Sequence, residues 1–331
     1  MLLCISCQRT SSQEEDKHQQ AIQDSIERVR QAEEAERNRP RTADDITLIK
    51  DLTFDNYVLE DKYEYQDTFR VLQWDKIKER LAYIENFQRE HNQYGIVVNY
   101  KNKNGEAPTV PNFVRNAYKR VSDTVGTERY QSAPLYREGE VDAPTIYARD
   151  GSLVKYLSSD TVSMVKIQGL TNFEGVWDIP KRYVTPIGDT TTFGHVVVVD
   201  VTNQNISTLE RSERGWIIRS TNPATTGRHA PPYAMETPVG IFVVQEQKAK
   251  MFYFGDGTTV IEGFAPWASR FTNGAYIHGV PVNNPKGKIV EYSWSLGTTP
   301  RSHMCVRNAS SHAKFVYDWV KPYASLVIVI D

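Results

Sequence analysis

Residues 194–210 read GHVVVVDVTNQNISTLE, and no other stretch limits the fold as much. Four successive valines are stiff at χ1 and fit a pleated strand better than a helix. Their near-continuous apolar character reads as a buried strand, with a turn at Asn203 and a partner strand behind it. The same texture continues to the end of the chain. RGWIIRSTNPATTG, TPVGIFVVQEQ, KMFYFG, AYIHGVPV and YASLVIVID are further short strands, and NASSHAKFVYDWVK is the one late helix. Short strands with few helices predict a mainly β region over 191–331, a sandwich or barrel-like sheet with one C-terminal helix.

The upstream half reads differently. Residues 8–45 are polar and charged, with only Ile22, Ile26 and Val29 in a stripe, and predict a solvated helix or tether ending near Pro40. Residues 46–145 read as a small mixed α+β region. WDKIKERLAYIENFQREH sets Trp74, Ile77, Leu81, Ile84 and Phe87 on one helical face, YGIVVNY is a strand, and TVPNFVRNAYKRVSD reads as a second helix. No chemical motif falls there, and its aromatic and apolar positions read as core. Residues 146–190 hold short strands and turns that resemble the small bacterial SH3-type modules found beside cell-wall enzymes.

Composition excludes some functions. A formal net charge of −2 argues against nucleic acid as the main partner. No run approaches the roughly 20 apolar residues of a spanning helix. Three cysteines, Cys4, Cys7 and Cys305, do not make a disulfide framework. Cys4 and Cys7 are at most half a metal site, with no second half at suitable spacing, so no metal is expected. MLLCISC resembles the end of a bacterial lipoprotein signal with Cys7 as the lipidated residue, and 1–7 is then a signal remnant. The other reading is a disordered start with two incidental cysteines.

Cys305 lies in RSHMCVRN. A thiol acts as a nucleophile only when a base or a positive environment favours the thiolate. His303 is the nearest histidine, but in a strand i and i−2 are same-face neighbours about 7 Å apart. His278, in NGAYIHGVPV, stands in a strand just before a glycine and is the better base. His18, His91, His195, His229 and His312 fall in tether, helix-end, strand-start, loop and helix contexts. On spacing alone, Cys305 remains either a packed thiol or a nucleophile served by His278.

Four pieces in order resemble one family. The strand and turn from Val196, the run Thr237-Pro238-Val239-Gly240, the His278-Gly279 pair and Ser302-His303-Met304-Cys305-Val306-Arg307 are similar to the YkuD-type L,D-transpeptidase catalytic domain, over about 193–331. That resemblance implies Cys305 as nucleophile, His278 as general base and Gly279 orienting it through its carbonyl. It implies an oxyanion site at the N–H groups of Met304 and Cys305, with His303 and Ser302 lining the pocket. Arg307 would face a substrate carboxylate or brace the loop, and Tyr276 and Trp294 are further candidate substrate contacts, with Tyr292 beside them. Two features depart from the family: Met304 replaces the usual glycine, and the 279–301 segment is long enough for a flap.

The function the resemblance implies is peptidoglycan L,D-transpeptidation. The third stem residue, meso-diaminopimelate, would be acylated onto cysteine with release of D-alanine, and a 3→3 cross-link would follow. No cofactor is required, and carbapenem-type β-lactams are the expected inhibitors. The expected location is the bacterial envelope, periplasmic or extracytoplasmic, with a lipid anchor at Cys7. The same fold accommodates water or a protein amine as acceptor. A wall-binding scaffold with a degenerate site is the rival from another class, and the motif context speaks against an unrelated cysteine protease.

Overall fold

The computed structural model describes residues 6–90, 93–115, 119–125, 129–158 and 163–331. The chain divides into two compact units, Met1–Thr42 and Ala43–Asp331. The first holds one helix, Ser6–Asn38, ending two residues before Pro40, which disfavours helical geometry in the residue preceding it. Ile22, Ile26 and Val29 are exposed along it. Residues 1–5, and the side chains of residues 6–17, lie outside the described residues, and with them the expected lipidation at Cys7.

The centre of the second unit is a six-stranded sheet in the order Leu48–Lys50, Gly215–Pro223, Asn205–Ser212, His195–Asp200, Ser325–Ile330 and Gly240–Val243. His195–Asp200 and Ser325–Ile330 run parallel in register, His195 opposite Ser325. The unbroken valine run now has a cause, because this strand is covered on both faces. Val196 and Val198 pack with Ile77, Leu81, Ile84 and Phe87 of the helix Trp74–Arg89. Val197 and Val199 pack with Phe271, Ile277, Val306 and Val316 on the other side. Each such side chain withdrawn from water contributes about 1.5–3 kcal/mol. Glu85, buried on that helix, accepts from Trp216 Nε1 at 2.8 Å and pairs with Arg211 at 2.9 Å.

The upstream residues therefore form a layer of the catalytic fold, and this corrects the expected division at 145/146 and 190/191. A five-stranded antiparallel sheet runs Gly175–Pro180, Met164–Gly169, Leu153–Tyr156, Gln93–Val97 and Val184–Gly188. The 146–190 strands are not a module of their own, because Gln93–Val97 lies between two of them. The expected second helix is also corrected. Its described residues give the short pair Val114–Arg115 and Val121–Ser122, consistent with Pro111 and three β-branched valines at 110, 114 and 121. Gly151 locks the upstream part to the catalytic part: at φ +87°, its missing Cβ would stand 1.9 Å from the Phe271 carbonyl oxygen.

The second covering sheet carries the site, in the order Glu246–Phe254, Ile261–Thr272, Ala275–His278 and Val306–Arg307. The helix Ser310–Trp319 follows directly. The architecture is mainly β, as the sequence predicts, but its sheets are stacked and open and do not close into a barrel.

Candidate active site

The register of two short strands brings the distant motifs together. Ala275–His278 pairs in parallel with Val306–Arg307, Ile277 opposite Val306 and His278 opposite Arg307. Cys305 therefore stands one step earlier, beside Tyr276. Arg307 is held on its other edge by Thr225, through backbone bonds of 2.8 and 2.9 Å. The thiol faces the turn before the histidine strand, with Sγ 3.7 Å from the Gly274 carbonyl oxygen. Among the described hydrogen bonds none joins Cys305 to His278. The imidazole lies diagonally across the strand pair, two residues along from the thiol's neighbour.

His278 is 3% exposed, and its Nδ1 lies 2.6 Å from the Gly279 carbonyl oxygen. A carbonyl only accepts, so Nδ1 carries the proton and Nε2 keeps its lone pair. Burial lowers the imidazole to about 4; the Gly279 bond opposes this and the Arg307 cation adds to it. A side chain at 279 would meet Ser310 Oγ at 2.6 Å and Pro266 Cγ at 2.9 Å, so only glycine fits beside the base. Burial pushes the Cys305 thiol up, against the Tyr276 backbone N–H and the Arg307 cation, which pull it down. Thiol and imidazole are thus both neutral at rest.

Met304 has φ +122°, in the region that favours glycine. Four contacts hold it there. Its carbonyl accepts from Thr237 Oγ1 at 2.7 Å, and Thr237 Oγ1 accepts from Gly227 N at 2.8 Å. Its N–H donates to Ser302 Oγ at 3.3 Å, and its side chain packs with Ile277 and Val306. Ser302 Oγ in turn donates to the Cys305 carbonyl. In a trans peptide the N–H points away from the preceding C=O. Fixing the Met304 carbonyl on Thr237 therefore aims the Cys305 N–H the other way, and that N–H has no partner among the described bonds. Of the two expected oxyanion donors, the Met304 N–H is already engaged and the Cys305 N–H is open.

Arg307 is half-buried, and its Nε lacks a hydrogen-bond partner. Burial holds its pKa below the usual range, against Cys305 and Tyr253, which raise it. No carboxylate pairs with it among the described residues. His303 is exposed and meets Asp256 of the neighbouring hairpin at 3.2 Å. Tyr276 points elsewhere: its hydroxyl donates to Glu246 at 2.9 Å and accepts from Lys248 at 3.2 Å, in a cluster with Tyr100. Trp294 is 74% exposed, with Arg301 4.8 Å over its ring, and Tyr292 stacks on Tyr57 at 4.6 Å. The structure groups Cys305, His278, Gly279, Met304, Ser302 and Arg307, leaving the Tyr276 hydroxyl and Trp294 outside that group. Thr237 was visible in the sequence as part of a motif, but nothing there indicated that it holds the Met304 carbonyl. The described residues contain no group of three or more potential metal ligands.

Comparison with known proteins gives a consistent picture. A family model, YkuD, the L,D-transpeptidase catalytic domain, matches residues 194–329. The Bacillus subtilis (strain 168) protein named "Putative L,D-transpeptidase YciB" is 32% identical over 93 residues, covering 28% of this chain and 46% of that protein. The chain thus spans about half the length of this curated relative. Among solved structures, LdtMt1 in complex with imipenem is similar at 17% identity and TM-score 0.34, over 54% of this chain and 82% of that one. L,D-transpeptidase 3 from Mycobacterium tuberculosis, in complex with a faropenem-derived adduct, is similar at 17% identity and TM-score 0.32, over 55% and 92%. Residues 194–329 of this chain belong to the YkuD family of L,D-transpeptidase catalytic domains.

Proposed function

We propose that this protein is a peptidoglycan L,D-transpeptidase working through a Cys305 acyl-enzyme. The observation that carries the reading is the His278 tautomer: Nδ1–H donates to Gly279, so Nε2 is the free base on the strand beside the cysteine. Because both groups are neutral at rest, His278 Nε2 takes the thiol proton as sulfur attacks the carbonyl carbon of the third stem residue. The Cys305 N–H, aimed by Thr237, donates to the oxyanion that forms. The C–N bond to D-alanine then breaks, and the departing amine takes its proton from His278. The burial that weakens this imidazole as a resting base strengthens it as an acid at that moment. An amine of a second stem attacks the thioester, its proton passes to His278, and the thiol returns as the 3→3 link forms.

Arg307 is proposed to bind a carboxylate of the donor stem, and carbapenem-type β-lactams to acylate the same sulfur. The bacterial envelope is the proposed location, with Cys7 as a lipid anchor, which mass analysis of the N-terminal peptide from membranes would test. For the enzyme, the experiment is intact-mass analysis with disaccharide-tetrapeptide and a carbapenem. An adduct on the wild type but not on Cys305→Ala, with dimeric product, is expected. Tripeptide without dimer would assign water as acceptor. A wild type that neither forms an adduct nor turns over sinks the reading in favour of a wall-binding scaffold.

A further inference from the structure

A cavity of about 310 Å³ opens beside the Thr237–Gly240 motif. Tyr147, Arg149, Ser152 and Phe173 of the upstream strands form one side, and Pro238 and Val239 of the motif form the other. Its size suits the end of a peptide rather than a disaccharide. It is also coupled to the nucleophile. With its amide oriented by its neighbours, Asn273 accepts from Arg149 Nη1 at 3.2 Å and donates to the Gln131 carbonyl at 3.0 Å. The next residue is Gly274, whose carbonyl oxygen faces Cys305 Sγ at 3.7 Å. On the other side, Pro238 and Val239 follow Thr237, which holds the Met304 carbonyl. Both walls of the cavity thus end on groups that position Cys305.

We propose that this cavity binds the acceptor, an amine whose own carbon bears a carboxylate, and that the carboxylate pairs with Arg149. The inference rests on the acyl-enzyme reading above. A simple ammonium approaching the thioester would be repelled by two guanidiniums, Arg149 and Arg307. An α-amino carboxylate is zwitterionic and is drawn in by its negative end, which leaves its amine toward the sulfur. A guanidinium offers the planar fork that a carboxylate fits. The upstream region then has a chemical task as part of the reaction site: it selects the second substrate.

The full chain, acylated with disaccharide-tetrapeptide, is offered a stem-peptide acceptor and the same acceptor with the carboxylate beside its amine converted to an amide. Wild type should favour the carboxylate by about tenfold in KM, the range of a hydrogen bond to a charged group. Arg149→Gln should erase that preference by raising the acceptor KM at unchanged kcat, with Arg149→Lys recovering part of it. Val239→Trp, which fills the cavity, should raise the same KM. An undiminished carboxylate preference in Arg149→Gln overturns the proposal. So does a fall in kcat at unchanged KM, which would mark Arg149 as a brace for the Asn273 turn. Binding of the free acceptor to Cys305→Ala protein, with and without Arg149→Gln, is measured separately. If wild type never acylates but this binding is present and depends on Arg149, the transpeptidase reading fails while the carboxylate site stands. If that binding is indifferent to Arg149, the site itself is refuted.

Discussion

Two regions of the molecule bury a guanidinium, and they treat it in opposite ways. Arg270 lies in a hub between the upstream layer and the site sheet. It pairs with Asp150 at 2.5 Å and Glu246 at 3.4 Å, and donates to Gln245 at 3.2 Å. Asp150 Oδ1 meanwhile accepts from the backbone N–H groups of Asn99 and Tyr100 at 2.8 and 2.9 Å. Arg307, beside the nucleophile, has no carboxylate partner among the described residues. Burying a charge without a partner is costly. The hub meets that cost with contacts inside the chain, whereas the loop is left to meet it with a ligand. Saturation, rather than burial or charge, separates the framework from the candidate site.

The largest expected effect tests the hub. Asp150→Ala strands Arg270 and should cost about 3–5 kcal/mol in denaturant unfolding. Arg307→Met removes a cation that nothing inside the chain neutralises, so its stability should stay level or rise, while the KM for the donor tetrapeptide rises about tenfold. Comparable destabilisation by both variants would break the distinction.

Titration should sharpen it. An unfolded imidazole takes its proton near 6.5, but buried His278 does so only near 4, and His312, lowered by burial, near 3. Between those values the unfolded chain binds more protons. Stability is therefore complete above about 6.5 and is lost as pH falls toward 4, by up to about 1.4 kcal/mol per pH unit for each histidine. His278→Gln should flatten that slope and abolish turnover by about 10²–10⁴-fold. His312→Gln should flatten the slope while leaving acylation of Cys305 close to wild type. His312 shares the burial and the low pKa of His278, but its Nε2 is taken by Ser220 at 2.9 Å. A low pKa therefore does not identify the base unless a nitrogen is also left free.

The sequence disclosed the site more readily than the frame that holds it. Cys305, His278 and Gly279 were legible because their motifs are short and their chemistry is local to each. The valine run marked a buried strand, but what buried it was a helix more than 100 residues away, which periodicity within one segment cannot indicate. Tyr276 was misplaced because its strand was recognised but its neighbours Tyr100, Glu246 and Lys248 come from elsewhere in the chain. The SH3-like impression of 146–190 failed for the same reason, since Gln93–Val97 enters that sheet from outside the segment. Local pattern fixes element type, whereas strand order and cross-layer polar contacts depend on residues far apart.

The smallest effect concerns backbone strain, present in the loop at Met304. At φ +122° a side chain is disfavoured, and conformations of this kind cost about 1–3 kcal/mol. Both Met304→Ala and Met304→Gly remove the packing against Ile277 and Val306, so the difference between them reports the backbone alone. Met304→Gly should be more stable than Met304→Ala by about 1 kcal/mol, despite the greater freedom glycine has when unfolded. Ala148, fully buried in the strand Ile146–Arg149 just before the hub, provides the contrast. There Ala148→Gly should cost about 0.5–1 kcal/mol. Opposite signs at the two positions, read from matched unfolding curves, would locate the strain in the loop that carries Cys305. Equal signs would mean that Met304 fits its backbone without cost, and that the departure from glycine serves packing alone.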